Sequence, residues 1–156
     1  MSVKDPAWLA QHLKGKRLLI LAGGLCEQIE MDGGSLVDYV VEISKRTNAP
    51  IAPTGNTVNA LKEKGVDVKK AWAIEMVNFT RYDWQHPIMD QKPEIMLLIG
   101  YSPVLAANLA SAVKDVETMV LGTTYVDSAS YSLPDVSSFQ NLRQELDDFL
   151  KALTKS

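Results

Sequence analysis

The stretch Arg17-Leu18-Leu19-Ile20-Leu21-Ala22-Gly23-Gly24 constrains this chain more than any other. An apolar run without polar alternation, entered through Lys14-Gly15-Lys16 and left through two glycines, reads as a short strand buried on both faces. Strands of that kind belong to parallel sheets with helices on each side. In such sheets ligands bind beyond the carboxyl ends of the strands, where the winding direction reverses, and glycine there lets a phosphate or ring approach the backbone. Function is therefore expected at the exit of this strand.

The rest of the chain alternates helix and strand around it. Asp5-Pro6 supplies an N-cap and an N1 proline for a helix to about Lys14, with Trp8, Leu9 and Leu13 on its apolar stripe. After a loop from Gly23 to Gly34, Ser35 and Asp38 have the spacing of a capping box, and Leu36, Tyr39, Val40 and Ile43 recur at helical spacing until Asn48 and Pro50. Ile51-Ala52-Pro53 is a second strand, which turns through Thr54-Gly55-Asn56-Thr57 into a helix that stops at Gly65. Val66-Asp67-Val68 is read as a third, edge strand. A helix from Ala71 to Thr80 places Trp72, Met76 and Phe79 on one side, and no period fits 81–93. Ile95-Met96-Leu97-Leu98-Ile99-Gly100 and Thr118-Met119-Val120-Leu121-Gly122 are two more glycine-ended strands, with Ser102-Pro103 opening the helix between them. A Tyr131-Ser132-Leu133-Pro134 edge segment precedes the last helix, from about Ser138 to Leu153, which turns Phe139, Leu142, Leu146, Phe149, Leu150 and Leu153 to the core. This alternation implies βαβ units and a single α/β domain over 1–156, a Rossmann-like three-layer sandwich with a parallel sheet of five or six strands.

Composition removes several classes of function. Charged residues make up 22% of the chain and the net charge is −3, with lysine and arginine spread along helices, so no footprint for nucleic acid is expected. The longest apolar run is too short to span a bilayer and no leader precedes it, which places the chain in the cytoplasm and off the membrane. One cysteine, Cys26, and two histidines, His12 and His86, supply no internal disulfide and no thiolate set for an iron–sulfur or structural zinc site. Any metal used in redox chemistry is expected on another chain.

Read together, Leu19-Ile20-Leu21-Ala22-Gly23-Gly24, the run from Asn48 to Asn56, Leu97-Leu98-Ile99-Gly100-Tyr101-Ser102-Pro103 and Ser132-Leu133-Pro134-Asp135-Val136 resemble the nucleotide-binding fold of the central domain of thiamine-diphosphate enzymes. That resemblance implies an FAD/NAD-binding-like domain with strand order 3-2-1-4-5-6, some members of which hold FAD. Chain length, the helix ahead of the first strand and Asn78-Phe79-Thr80-Arg81-Tyr82-Asp83-Trp84 ahead of the Met96–Gly100 strand are most similar to one stand-alone family: the epsilon subunit of the archaeal carbon monoxide dehydrogenase/acetyl-CoA decarbonylase–synthase complex. The family implies an accessory, non-catalytic role in an oligomeric assembly. Its partner is a large alpha subunit carrying a nickel–iron–sulfur centre, which the epsilon subunit stabilises, and FAD is the implied cofactor for electron transfer. The alternative is a free-standing nucleotide-binding module or nucleotide-dependent enzyme using the same pocket.

The residues themselves leave the pocket open to two readings. Gly23-Gly24 lacks the G-x-G-x-x-G spacing and is equally a tight turn or a ligand contact. Thr54-Gly55-Asn56, a hydroxyl, a bare backbone N–H and an amide at a helix start, is an anion-ready nest. Gly100-Tyr101-Ser102 completes the pocket, with Tyr101 either stacking on a flat ring or packing in the core. Cys26 has no neighbouring histidine to activate it and reads as a small buried hydrophobe. Gly100-x-Ser102 is followed by Val104 where a nucleophile elbow needs glycine. Glu27, Glu30 and Asp32 form a solvated acidic face, and His86 is a loop residue. Outside the pocket, Trp72, Phe79, Arg81, Tyr82 and Trp84 gather the residue types that anchor interfaces, and read as a partner or self-association surface.

Overall fold

The apolar, glycine-ended runs come together in one parallel sheet. The computed structural model describes residues 3–28, 30–31, 34–55 and 57–154. Helix α1 (Pro6–Leu13) starts where Asp5 Oδ1 accepts the Trp8 N–H at 2.8 Å and proline takes the first helical position. After β1 (Leu18–Ala22) come the short α2 (Leu25–Gln28) and a small antiparallel pair, β2 (Glu30–Met31) with β3 (Gly34–Ser35). Helix α3 (Leu36–Thr47) opens with the Ser35 N–H donating to Asp38 Oδ2 at 3.0 Å and closes on Asn48 in the left-handed conformation. Then follow β4 (Ile51–Pro53), α4 (Thr57–Glu63), α5 (Ala73–Thr80), β5 (Ile95–Ile99), α6 (Pro103–Ala112), β6 (Glu117–Leu121), β7 (Tyr131–Ser132) and α7 (Phe139–Thr154).

The sheet runs in the order β4-β1-β5-β6-β7, every pair parallel. Ala22 at the end of β1 is level with Pro53 on one side and Ile99 on the other. Winding goes outward from β1 to β4 and then returns to β5, so the direction reverses at the carboxyl ends of β1 and β5. Successive residues serve opposite layers: Leu18, Ile20, Leu97 and Ile99 pack with α1, α3 and α7 around Phe149, while Leu19, Leu21, Met96 and Leu98 pack with α5 and α6 around Met76 and Leu109. Both faces are covered, which is why β1 and β5 tolerate no polar residue. No helix among the described residues is long and apolar enough to cross a membrane.

Three expectations are corrected. Residues 66–68 form no strand, so the order is 3-2-1-4-5-6 without its outermost member. The Ile20 N–H bonds Pro50 O and the Thr54 N–H bonds Ala22 O, which turns Ile51 and Pro53 outward, and Pro53 has no N–H to offer a further strand. The Ala71 N–H, 3.0 Å from Pro53 O, ties the passing segment to that edge instead. Helix α5 starts at Ala73, leaving Trp72 ahead of its first turn and 53% exposed. Phe139, expected in the core, is 45% exposed, because the first turn of α7 projects past the sheet and lines a cleft there.

The cap of α3 makes stability depend on acid. Lys64 Nζ, 2.9 Å from Asp38 Oδ1, together with the Ser35 N–H, holds the Asp38 carboxyl below its ordinary value of 3.8. A lowered folded-state value stabilises the native chain above the unfolded value and loses that contribution as pH falls through the folded one. Urea titrations should therefore show Asp38→Asn less stable than the parent at neutral pH, with the gap closing below about pH 4.

Candidate functional site

At the reversal point the strand exits are packed against each other. The Gly23 N–H donates to Ile99 O at 2.9 Å, the Leu25 N–H to Gly100 O at 2.9 Å and the Cys26 N–H to Gly23 O at 3.1 Å. Thr57 Oγ1 donates to Gly23 O at 3.0 Å, drawing the start of α4 into the same knot. A Cβ on Gly23 would lie 2.4 Å from Gly100 O and 2.7 Å from Tyr101 Cδ1, and one on Gly100 would lie 2.3 Å from Cys26 Sγ. The glycines therefore make room for Cys26 and Tyr101 of this chain. Gly24 differs: among the described residues nothing lies within 4 Å of its Cβ direction.

The polar groups of the expected pocket, the Tyr101 hydroxyl apart, are spent locally. Ser102 Oγ accepts the Leu105 N–H at 3.3 Å as the cap of α6. The Thr54 N–H donates to Ala22 O, its Oγ1 faces the same oxygen at 3.5 Å, and the α4 behind it is a helix of only 7 residues. Gly55 carries the left-handed turn into that helix at φ 57°. Asn56, Asp32 and the side chains of Glu27 and Glu30 lie outside the described residues. Tyr101 Oη is buried and finds no hydrogen-bond partner among the described residues; Thr54 is close enough to influence it without meeting hydrogen-bond geometry. Burial first, and the nearby Cys26 second, raise the Tyr101 hydroxyl above its ordinary range.

Cys26 is the buried hydrophobe that its surroundings in sequence indicate. Its Sγ donates to Ile99 O at 3.3 Å, and burial pushes the thiol up to about 12, the bond to Gly23 opposing in part. Maleimide or disulfide reagents at pH 8 should leave it unlabelled in the native chain and label it stoichiometrically in denaturant; fast native labelling would contradict this packing.

A cleft of about 240 Å³ lies beside the knot, between the ends of β5 and β6 and the first turns of α6 and α7. Its walls are Leu25, Leu36, Pro103, Val126, Phe139 and Leu142, with Thr123 and Thr124 as the side-chain hydroxyls of its rim. It falls short of the roughly 300–1,000 Å³ usual for ligand sites, and no lysine, arginine or histidine lines it among the described residues. A pyrophosphate would meet no cation among the described residues here, and at the start of α6 Pro103 has no N–H to offer and the Leu105 N–H is capped by Ser102. The described residues do not fit FAD or another dinucleotide.

The second sequence-derived set is split by the fold. Trp72, Phe79 and Tyr82 line one open groove of about 660 Å³ beside α5, joined by Ile74, Glu75, Asn78, Asp83 and Gln85. Tyr82 is 78% exposed and Ile74 55%, unusual for side chains of their size. Trp84 turns inward, donating from Nε1 to Met89 O at 3.1 Å and meeting Phe79 edge-to-face at 6.0 Å. Arg81 reaches away to Ala112 O at 2.9 Å and fastens the end of α5 to α6. His86, read as a loop residue, bridges to Glu75 at 2.9 Å and packs on Phe79. Glu75 and Asp83 were not among the residues singled out. The signal for Glu75 was present, because Glu75, Asn78, Phe79 and Tyr82 stand at i, i+3, i+4 and i+7.

A further cluster, not anticipated, joins α1 to the amino ends of β6 and β7. His12 Nε2 lies 2.9 Å from Glu117 Oε1, the Tyr131 hydroxyl donates to Glu117 Oε2 at 2.8 Å, and Trp8 stacks on His12 at 4.8 Å. Its place at the opposite end of the sheet from the reversal point makes it a brace for the N-terminal helix.

Comparison with known proteins completes the description. No family model matches the chain. It is 32% identical over 144 residues to the acetyl-CoA decarbonylase/synthase complex subunit epsilon 2 of Methanosarcina mazei, covering 88% of this chain and 81% of that protein. To subunit epsilon 1 of Methanosarcina barkeri it is 30% identical over 145 residues, covering 90% and 81%. To the epsilon subunit of Methanothermobacter thermautotrophicus it is 22% identical over 128 residues, covering 79% and 71%.

Proposed function

This chain belongs to the epsilon-subunit family of acetyl-CoA decarbonylase/synthase complexes, and from that premise we propose that it is a non-catalytic accessory subunit which docks on, and stabilises, a large metal-bearing subunit in the cytoplasm. The observation that carries the reading is the groove beside α5, where Trp72, Ile74 and Tyr82 stand open around the half-buried Phe79 on a braced support. Aromatic side chains held in this way are the usual anchors of a protein interface. The non-catalytic part rests on the strand exits, where the Cys26 thiol, the Thr57 and Ser102 hydroxyls, Gly23 and Gly100 are engaged in packing and capping. The flavin that the resemblance implies has no part in this proposal, because the described crevice does not fit it.

The test is reconstitution of the full-length chain with the large subunit of its own organism. The two should co-elute as one complex in gel filtration, and the chain should slow thermal inactivation of the carbon monoxide oxidation activity. Separate elution with an unchanged inactivation rate would reject the reading.

A further inference from the structure

The groove has a charge as well as a shape. Glu75 Oε1 is 2.9 Å from His86 Nε2. The Ile88 N–H donates to His86 Nδ1 at 3.1 Å, so Nε2 is the ring nitrogen that presents its N–H to Glu75. Glu75 is thereby hydrogen-bonded and oriented on the groove wall. Asp83, exposed on the same groove, makes no ion pair among the described residues. Two carboxylates thus share a wall with Trp72, Phe79 and Tyr82, and no lysine, arginine or histidine is among the residues lining it. The nearby cation is Lys70, whose ammonium lies 4.0 Å from the centre of the Trp72 ring and is already engaged there.

We propose that this groove receives an apolar, arginine-bearing segment of the large subunit, with guanidinium groups on the exposed ring of Tyr82 and against Asp83 and Glu75; the inference rests on the docking role given above. Arginine satisfies both demands of the wall, because its plane stacks on an aromatic face while its edge pairs with a carboxylate. Lys70 on Trp72 displays half of that arrangement within the chain. The site is pre-organised. Phe79, Trp84 and His86 pack on one another, Arg81 fastens α5 to Ala112, and Lys92 Nζ holds Thr80 O at 2.8 Å. Binding therefore orders little beyond the exposed Tyr82 and Asp83. A second copy of this chain suits the groove less well. A twofold contact would bring Glu75 and Asp83 toward their own duplicates without a cation from the groove lining to separate them.

The experiment measures the dissociation constant between the full-length chain and the large subunit at low and at physiological ionic strength, for the parent, Tyr82→Ala, Asp83→Asn and Asp83→Lys. Both positions are exposed, and unchanged melting temperatures confirm that each variant is folded. The parent affinity should fall as salt rises. Tyr82→Ala should weaken binding about tenfold or more while keeping the salt dependence. Asp83→Asn should weaken it less than Asp83→Lys, and both should flatten the salt dependence. Weakening by Tyr82→Ala with no effect of either Asp83 variant overturns the cationic partner and leaves the docking role standing. No effect of any variant on a parent that binds overturns the groove as the docking surface, and a parent that does not bind overturns the docking role with it. A free chain that sediments as a dimer and dissociates on Tyr82→Ala also overturns the inference, because the occupant is then a second copy.

Discussion

Gly100→Ala should lower stability by about 2–5 kcal/mol, combining a left-handed backbone penalty of about 1–2 kcal/mol with overpacking of about 1–3 kcal/mol. Gly100 sits at φ 85°, and the added Cβ would lie 2.3 Å from Cys26 Sγ, 2.9 Å from Cys26 N and 3.0 Å from Gly23 O. The sulfur is the one neighbour that a second substitution can remove. Adding Cys26→Ala should recover part of the loss, because the two backbone contacts and the unfavourable φ remain. Against a total stability of about 5–15 kcal/mol, the single variant should stand near the margin of folding, with its urea midpoint sharply lowered. An unchanged midpoint would mean that the strand exits are not packed in this way.

The second large effect separates two adjacent glycines. Gly23→Ala should cost about 1–3 kcal/mol, since its Cβ meets the Gly100 carbonyl oxygen, a backbone atom held between strands, and the Tyr101 ring. Gly24→Ala meets nothing within 4 Å among the described residues and needs no positive φ, so it should change stability by no more than about 0.5 kcal/mol. Equal effects at the two positions would contradict the close approach of Gly23 to β5. The contrast gives the double glycine a physical meaning: Gly23 is a spacer between strands, and Gly24 begins the exit from β1.

Much of this architecture was legible in the residues because local physics dictated it. Apolar runs ending in glycine could only be covered strands, and Asp5, Ser35 and Ser102 could be read as helix starts from the backbone donors that they satisfy. The missing edge strand was hidden in Pro53, whose outward orientation follows from the register of β4 on β1 and from nothing local. The closing of the crevice was equally out of reach. It needs Cys26 to fold back on Gly100, a contact set by Ala22 lying level with Ile99, and separated in sequence by a whole winding of the fold. The aromatic segment announced an interface by composition, but only the fold could turn Trp84 inward and Arg81 away to α6 while leaving Trp72 and Tyr82 open. The orientation of His86 toward Glu75 depends on a backbone N–H two residues away.

Cleft and groove lie on different parts of the molecule, and the account assigns the docking role to the groove. Amide hydrogen exchange of the full-length chain, free and bound to the large subunit, tests that assignment most directly. Binding should slow exchange over residues 72–85 and leave 23–26, 100–106 and 122–124 unchanged. Slowed exchange around the cleft with residues 72–85 unaffected would contradict it.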